Sequence, residues 1–172
     1  ARDVVGSDDR FVIISNQAKF YQPGNYDNVI RHNPDIDDED IIVEVDGDDW
    51  LPDNKVFERV IKYYSDPRVW ISYGQFRYSN GKKGFAAAIS VQEIRKVVFR
   101  VTHLRTWKAF LWRNIPPQQL MVNGCYAKTA GDIFFMMPML EMATNRHTLY
   151  TSDINYIYNA ENPLNDHKGT RA

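Results

Sequence analysis

Two kinds of apolar pattern alternate along the chain. Short continuous apolar runs are typical of strands buried in a sheet, whereas apolar residues that recur every three or four positions are typical of helices. The runs predict strands at residues 11–14, 41–45, 69–76 and 156–158. The spaced patterns predict helices at residues 26–31, 55–64, 97–112 and 133–143. Because strands and helices take turns, the order predicts an α/β fold with a mostly parallel sheet flanked by helices.

The composition is that of one folded domain, or of a fragment of one, spanning residues 1–172. Apolar residues make up 44% of the chain and charged residues 25%, which is enough apolar surface to form a core. The single cysteine, Cys125, excludes an internal disulfide framework and every zinc site built on several thiolates. No apolar run approaches the ~20 residues of a membrane span. We therefore expect a cytoplasmic protein, with peripheral contact to a membrane surface left open.

The charges are divided unevenly between the two parts of the chain. Residues 1–66 carry 7 Lys and Arg against 16 Asp and Glu, a net charge of −9, whereas residues 67–172 carry 14 against 6, a net charge of +8. Such a division produces either two solvated surfaces of opposite sign or a dipolar cleft in which a divalent cation bridges carboxylates and a phosphate-bearing ligand. The acidic part argues against nucleic acid as a partner.

An acidic turn follows the predicted strand at residues 41–45. Its three carboxylates are Asp46, Asp48 and Asp49. Ligands of open α/β sheets bind beyond the carboxyl ends of strands, and carboxylates on such a turn can hold Mg²⁺ or Mn²⁺ while positions stay open for phosphates. An EF-hand calcium loop is excluded because Leu51 and Phe57 stand where that loop needs Gly and Glu. An acidic turn that only caps the next helix stays the alternative.

Several segments resemble the inverting GT-A fold glycosyltransferases of family two. Residues 43–60, VEVDGDDWLPDNKVFERV, resemble the strand and D-x-D segment of that family. Further similar segments follow in the family's order: VWISYGQF at 69–76, HLRTW at 103–107, AGD at 130–132 before an apolar helix, and YNAENPLNDHK at 158–168. The resemblance covers roughly residues 10–168. The family members that it concerns are of the bacterial and viral type.

The resemblance implies a reaction and a set of ligands. The reaction is the metal-dependent transfer of a sugar from a nucleotide-sugar donor, with a UDP-sugar favoured, to a hydroxyl of a glycan or lipid-linked acceptor, with inversion at the anomeric carbon. The cofactor would be Mn²⁺ or Mg²⁺. By resemblance, Asp46 contacts the donor ribose or the metal, Asp48 is the main metal ligand and Asp49 supports the loop. His167 would complete the metal site and Lys168 would contact the diphosphate.

The resemblance also implies a catalytic base. An inverting transfer is a single displacement, so a carboxylate must take the proton of the acceptor hydroxyl, and Asp132 matches that position. His103 and Arg105 would line the donor or acceptor pocket. From the sequence alone, the N-cap of the helix that follows is the favoured role of Asp132, and only the resemblance favours the base.

One feature of the family has no counterpart here. Its first strand and helix bind the nucleotide base, and only residues 1–10 precede the predicted strand at 11–14. We therefore expect that unit to be missing from the chain or to lie in sequence outside it. Two other functions stay open. One is a nucleotidyltransferase, although no Gly-rich phosphate loop is visible. The other is a non-catalytic module that binds a membrane surface or a partner through the basic stretch 95–113.

Overall fold

The computed structural model describes residues 6–163, which form a four-stranded sheet, a short two-stranded ribbon and helices. The strands are β1 (Ile41–Glu44), β2 (Ile71–Tyr78), β3 (Arg105–Lys108), β4 (Met121–Val122), β5 (Cys125–Tyr126) and β6 (Thr148–Tyr158). The helices are α1 (Tyr21–Ile30), α2 (Val56–Tyr64), α3 (Ala109–Arg113) and α4 (Gly131–His147). Two short 3₁₀ turns lie at Val91–Glu93 and Pro117–Leu120. Within the described part of the chain, no helix is both long and apolar enough to cross a membrane.

The main sheet is mixed, with the strand order β1-β3-β2-β6. Strand β3 runs antiparallel to β1 on one side and to β2 on the other, and only β2 and β6 pair in parallel. The α/β class is therefore confirmed, but the prediction of a mostly parallel sheet is wrong. The reason is β3, a strand that the sequence pattern placed inside a helix.

The helix predicted at residues 97–112 does not form. Residues 97–104 have no helix or strand, and β3 and α3 follow them. Residues 101–107 are buried without interruption, which is the burial of a central strand and not that of one helix face. The apolar positions happened to match the helical spacing, but pairing with β1 and β2 decided the conformation. No single helix therefore spans the basic stretch 95–113.

The strand predicted at residues 11–14 is absent too. These residues form no regular structure, and the four apolar side chains are exposed: Phe11, Val12, Ile13 and Ile14. An apolar run becomes a buried strand only when a neighbouring strand pairs with it, and within residues 6–163 none does.

The other predicted elements are present with shifted ends. Helix α2 and strands β1 and β2 lie within two residues of their predicted ends, whereas α1 begins five residues earlier and β6 eight residues earlier than predicted. Helix α4 extends beyond both predicted ends and keeps Pro138 inside it. Its buried face, which includes Phe135, Met139 and Leu140, explains why packing tolerates a proline there.

Two apolar clusters pack against the sheet. One joins Ile71 and Trp107 of the sheet to residues of α1, α3 and α4, with Phe135 of α4 near its centre. The other joins Phe76 and Tyr156 of the sheet to α2. Because helices hold the sheet on both sides, the carboxyl end of β1 and the first turn of α4 are fixed relative to one another.

Candidate functional site

A cleft of about 730 Å³ opens where β1 ends. The start of α1, the loop after β1, the residues around the start of β3 and the start of α4 line it. The lining side chains with functional groups that matter below are those of Lys19, Tyr21, Asp46, His103, Arg105, Lys128, Asp132 and Tyr158. The cleft thus brings Asp46, His103, Arg105 and Asp132 together, as the sequence resemblance implied.

The loop after β1 is attached to β6. The backbone N–H of Asp46 donates to the Tyr156 hydroxyl at 3.0 Å. A carboxylate oxygen of Asp49 accepts from the backbone N–H of Asn159 at 2.8 Å, and Trp50 pairs with Ile157 through backbone hydrogen bonds. These bonds fix the direction in which Asp46 faces the cleft. Asp49 therefore connects the loop to the residue that follows β6.

Asp48 contacts the segment after β6. It is not among the residues that line the cavity, and its carboxylate accepts a hydrogen bond from the side-chain amide of Asn162. The two carboxylates of the D-x-D segment thus face different surroundings, Asp46 the cleft and Asp48 the segment after β6.

A buried arginine lies at the base of the cleft. Arg105 donates to Glu44 at 3.1 Å through Nη1 and to Asp132 at 2.7 Å through Nη2. The Glu44 carboxylate also accepts from Gln22 at 2.8 Å and from the Tyr26 hydroxyl at 3.2 Å. Arg105 and Glu44 are buried, whereas the Asp132 side chain is 27% exposed. Asp132 is therefore held on one side and open to the cleft on the other.

Asp132 is not the N-cap of α4. The N-cap residue is Ala130, which makes no side-chain cap bond, and Asp132 lies within the first turn. The alternative interpretation of Asp132 as a helix cap is therefore wrong. Its main partner is Arg105 on β3.

His103 lies beside Asp46 and is buried. Its Nε2 is 4.0 Å from a carboxylate oxygen of Asp46, and its ring stacks on Tyr156 with 4.3 Å between centroids. The Nδ1 atom is buried and finds no hydrogen-bond partner among the described residues. A buried polar atom without a partner is unusual, and here it belongs to a side chain that lines the cleft.

Burial and neighbouring charges shift the pKa values in the cleft. Burial, reinforced by Glu44, raises the pKa of Asp46 to about 6. Burial, reinforced by Arg105, lowers the pKa of His103 well below its ordinary value. Burial also raises the pKa of Glu44, although Arg105 opposes this. The His103 ring is therefore neutral at pH 7, and Asp46 is mostly ionised there.

Two lysines supply positive charge to the same cleft. The ammonium groups of Lys19 and Lys128 lie 5.0 and 6.0 Å from the centroid of the Tyr21 ring. Both lysines line the cleft together with Asp46 and Asp132, which is the composition of a dipolar cleft. Sequence reasoning missed these lysines, because each is isolated in a loop. It also missed Glu44, although a charged residue within the apolar run IIVEV was a visible signal.

The carboxylates suit a hard cation, but they do not form a complete site by themselves. Among residues 6–163, no group of three or more His, Cys, Asp and Glu side chains is close enough to hold a metal ion. Asp46 and Asp48 offer oxygen ligands of the kind that Mg²⁺ and Mn²⁺ prefer, and substrate phosphates commonly supply the others. The predicted ligand His167 and the predicted diphosphate contact Lys168 lie outside the described residues.

No model of a known protein family matches the chain, and the search of curated proteins finds no significant match.

Proposed function

We propose that the protein transfers a sugar from a nucleotide-diphosphate donor, a UDP-sugar, to a hydroxyl of a glycan or lipid-linked acceptor, with Mn²⁺ or Mg²⁺ as cofactor and with inversion at the anomeric carbon. The observation that carries the proposal is the cleft itself, which contains Asp46 from the D-x-D segment, the partly exposed carboxylate of Asp132 and two lysines. A donor needs a cation and positive side chains at its diphosphate, and the acceptor needs a base.

The donor end of the cleft has the groups that a diphosphate requires. Asp46 would hold the metal ion from the cleft, and Asp48 would join it by giving up its hydrogen bond with Asn162. Such an ion would stabilise negative charge on a leaving diphosphate. Lys19 and Lys128 supply ammonium groups for the phosphate oxygens. Gly47 also lines the cleft, and its missing side chain leaves open space beside the loop.

Asp132 has the position of the base. Its carboxylate takes the proton of the acceptor hydroxyl while the oxygen bonds to the anomeric carbon and the bond from that carbon to the diphosphate breaks. Arg105 orients the carboxylate through the 2.7 Å ion pair. Glu44 in turn fixes Arg105 from the buried side, so the base cannot swing away from the cleft without breaking a buried network.

The alternatives have less support. The membrane-surface or partner-binding module depended on the basic amphipathic stretch 95–113, and that stretch contains β3 and α3 and not one continuous amphipathic helix. The nucleotidyltransferase needs a Gly-rich phosphate loop, for which the sequence has no candidate.

A thermal-shift panel tests the proposal. UDP, GDP, ADP and CMP are added with and without Mn²⁺, and we expect UDP to raise the melting temperature when Mn²⁺ is present. A ligand that binds only the folded state stabilises that state by about 2.7 kcal/mol when its free concentration is 100 times its dissociation constant. Asp46→Ala should remove the effect, whereas Asp35→Ala, at an exposed aspartate outside the cleft, should keep it. A panel in which no nucleotide responds to metal contradicts the proposal.

A further inference from the structure

A second cavity adjoins the cleft at the proposed base. It has a volume of about 370 Å³ and shares four lining residues with the cleft: His103, Arg105, Asp132 and Tyr158. Asp46 and the two cleft lysines do not line it. The two cavities therefore meet at Asp132, one on the side of the D-x-D loop and the other beyond it.

The walls of the second cavity are aromatic. Four rings besides Tyr158 line it, those of Phe76, Tyr78, Phe85 and Phe99. Phe76 packs against Tyr78 at 5.0 Å and against Phe85 at 5.6 Å between centroids, both in edge-to-face geometry. Such edge-to-face packing fixes the orientation of the rings and leaves a ring face free for a ligand. Phe85 is 53% exposed, so its ring is available to a ligand.

The chain after β2 holds Phe85 in this place. Gly84 donates its backbone N–H to the carbonyl oxygen of Phe76 at 2.8 Å. A Cβ atom at Gly84 would lie 2.4 Å from the Phe76 ring, so only glycine permits this close approach. The segment that carries Phe85 is therefore hydrogen-bonded to β2, and this contact fixes the position of the Phe85 ring beside the cavity.

We propose that this second cavity is the acceptor site and that it binds a pyranose ring, with the C–H face of the sugar on Phe85 and the reactive hydroxyl at Asp132. The inference depends on the proposed transferase function and names the acceptor class for it. A pyranose combines an apolar face with a rim of hydroxyl groups. The cavity offers the matching combination of aromatic walls and polar groups at one end.

The polar end of the cavity distinguishes a sugar from a lipid chain. His103 and Asp132 line that end, and the Asp132 side chain is 27% exposed. A sugar hydroxyl can donate to the partly exposed Asp132 carboxylate, whereas an alkyl chain would cover it without offering a hydrogen-bond donor. The polar groups therefore favour a glycoside over an isoprenoid in this cavity.

Three variants and three glycosides test the inference. Saturation-transfer NMR measures the binding of methyl β-D-glucopyranoside, methyl β-D-galactopyranoside and methyl N-acetyl-β-D-glucosaminide, with UDP and Mg²⁺ present and absent. We expect at least one glycoside to bind, with saturation strongest on the ring protons of one face. Phe85→Ala and Phe85→Leu should each weaken it about 3- to 10-fold, because both remove an aromatic face. Phe57→Ala is the matched control, since Phe57 is also 53% exposed but lines neither cavity.

The affinity for UDP with Mg²⁺, measured by calorimetry on the same proteins, separates the possible failures. Unchanged UDP binding with weakened glycoside binding in both Phe85 variants supports the inference. If the wild-type protein binds UDP but no glycoside, the acceptor-site inference is overturned and the transferase proposal stands. A Phe85→Leu variant that binds the glycoside like wild type, or tighter binding of farnesyl phosphate that displaces the glycoside, also overturns the acceptor-site inference. Loss of UDP binding in the Phe85 variants assigns the cavity to the donor instead and overturns the acceptor site. Failure of the wild type to bind UDP overturns the transferase proposal itself.

Discussion

Arg105 and Asp132 form a 2.7 Å ion pair between the start of β3 and the first turn of α4. The same guanidinium group binds Glu44 at the end of β1, the strand that leads into the D-x-D loop. One buried cation thus joins the element that presents Asp46 to the element that presents Asp132. The distance between the proposed metal-binding and base groups depends on this side chain.

Arg105→Met should destabilise the protein strongly. It leaves the Glu44 carboxylate buried without its cationic partner, and breaking a buried pair in this way costs about 3–5 kcal/mol of unfolding free energy. Urea denaturation followed by circular dichroism measures the loss. The control is Arg95→Met, which breaks the exposed ion pair of Arg95 with Glu141 and should cost less than about 1 kcal/mol. Equal losses in the two variants would contradict the structural importance of Arg105.

Asp46 should make the stability of the metal-free protein depend on pH. Its folded-state pKa of about 6 lies above the ordinary 3.8, so the ionised carboxylate is disfavoured in the folded state. The stabilisation is present below pH 4 and is lost as the pH rises through about 6. The titratable and charged groups around it are Glu44, Asp48, Asp49, His103, Arg105 and Tyr156.

The variant that tests this is Asp46→Asn in metal-free buffer. At pH 8 it should be more stable than wild type by about 1 kcal/mol, a figure reduced because the Asp46 side chain is 35% exposed. The difference should disappear at pH 4. With UDP and Mn²⁺ the order should reverse, because only wild type keeps the ligand. Parallel stability curves from pH 4 to pH 8 would show that Asp46 is not perturbed.

Asp132→Asn should separate binding from catalysis. The amide keeps the size of the side chain but cannot take a proton, so we expect UDP affinity within about twofold of wild type and a sugar-transfer rate at least ~10² lower. Glu141→Gln, at an exposed position of the same helix, should keep wild-type turnover. Near-normal turnover of Asp132→Asn would contradict its role as the base and would leave Asp132 only a structural partner of Arg105.

Lys19 and Lys128 should contribute to donor affinity through charge. Replacing either by alanine should weaken UDP binding about 3- to 10-fold at low salt, and the loss should shrink at high salt because exposed charges are screened. Lys82→Ala is the control, since Lys82 is exposed and lines neither cavity. Salt-independent losses, or equal losses in all three variants, would remove the lysines from the donor site.

The elements that the sequence predicted well are those whose pattern has one interpretation. Helix α2 combines a proline just before it with apolar residues on one face, and strand β1 is a short apolar run before an acidic turn. Both formed near their predicted ends. The segment 97–112 failed because its apolar spacing fits a helix, while the decisive interactions, pairing with β1 and β2, come from residues far away in sequence.

The same limit applies to the site. The acidic turn was visible because its carboxylates are adjacent, and Asp132 was visible through the family resemblance. The contact between Arg105 and Asp132 was not predictable, because it crosses two elements whose packing the spacing does not encode. Lys19 and Lys128 line the cleft because of the conformation of the loops that carry them, which the sequence pattern does not predict. The second cavity likewise depends on a tertiary contact, that of Gly84 with Phe76.

The measurement that tests the account most directly is the calorimetric titration of UDP into wild type, Asp46→Ala and Asp48→Ala, each with Mn²⁺ and with chelator. We expect UDP to bind the wild-type protein only with Mn²⁺, and we expect both variants to lose this metal-dependent binding. Circular dichroism should show that all three proteins are folded. Binding of UDP that chelator does not weaken, or wild-type affinity in Asp46→Ala, would contradict a metal-dependent donor site at the D-x-D loop.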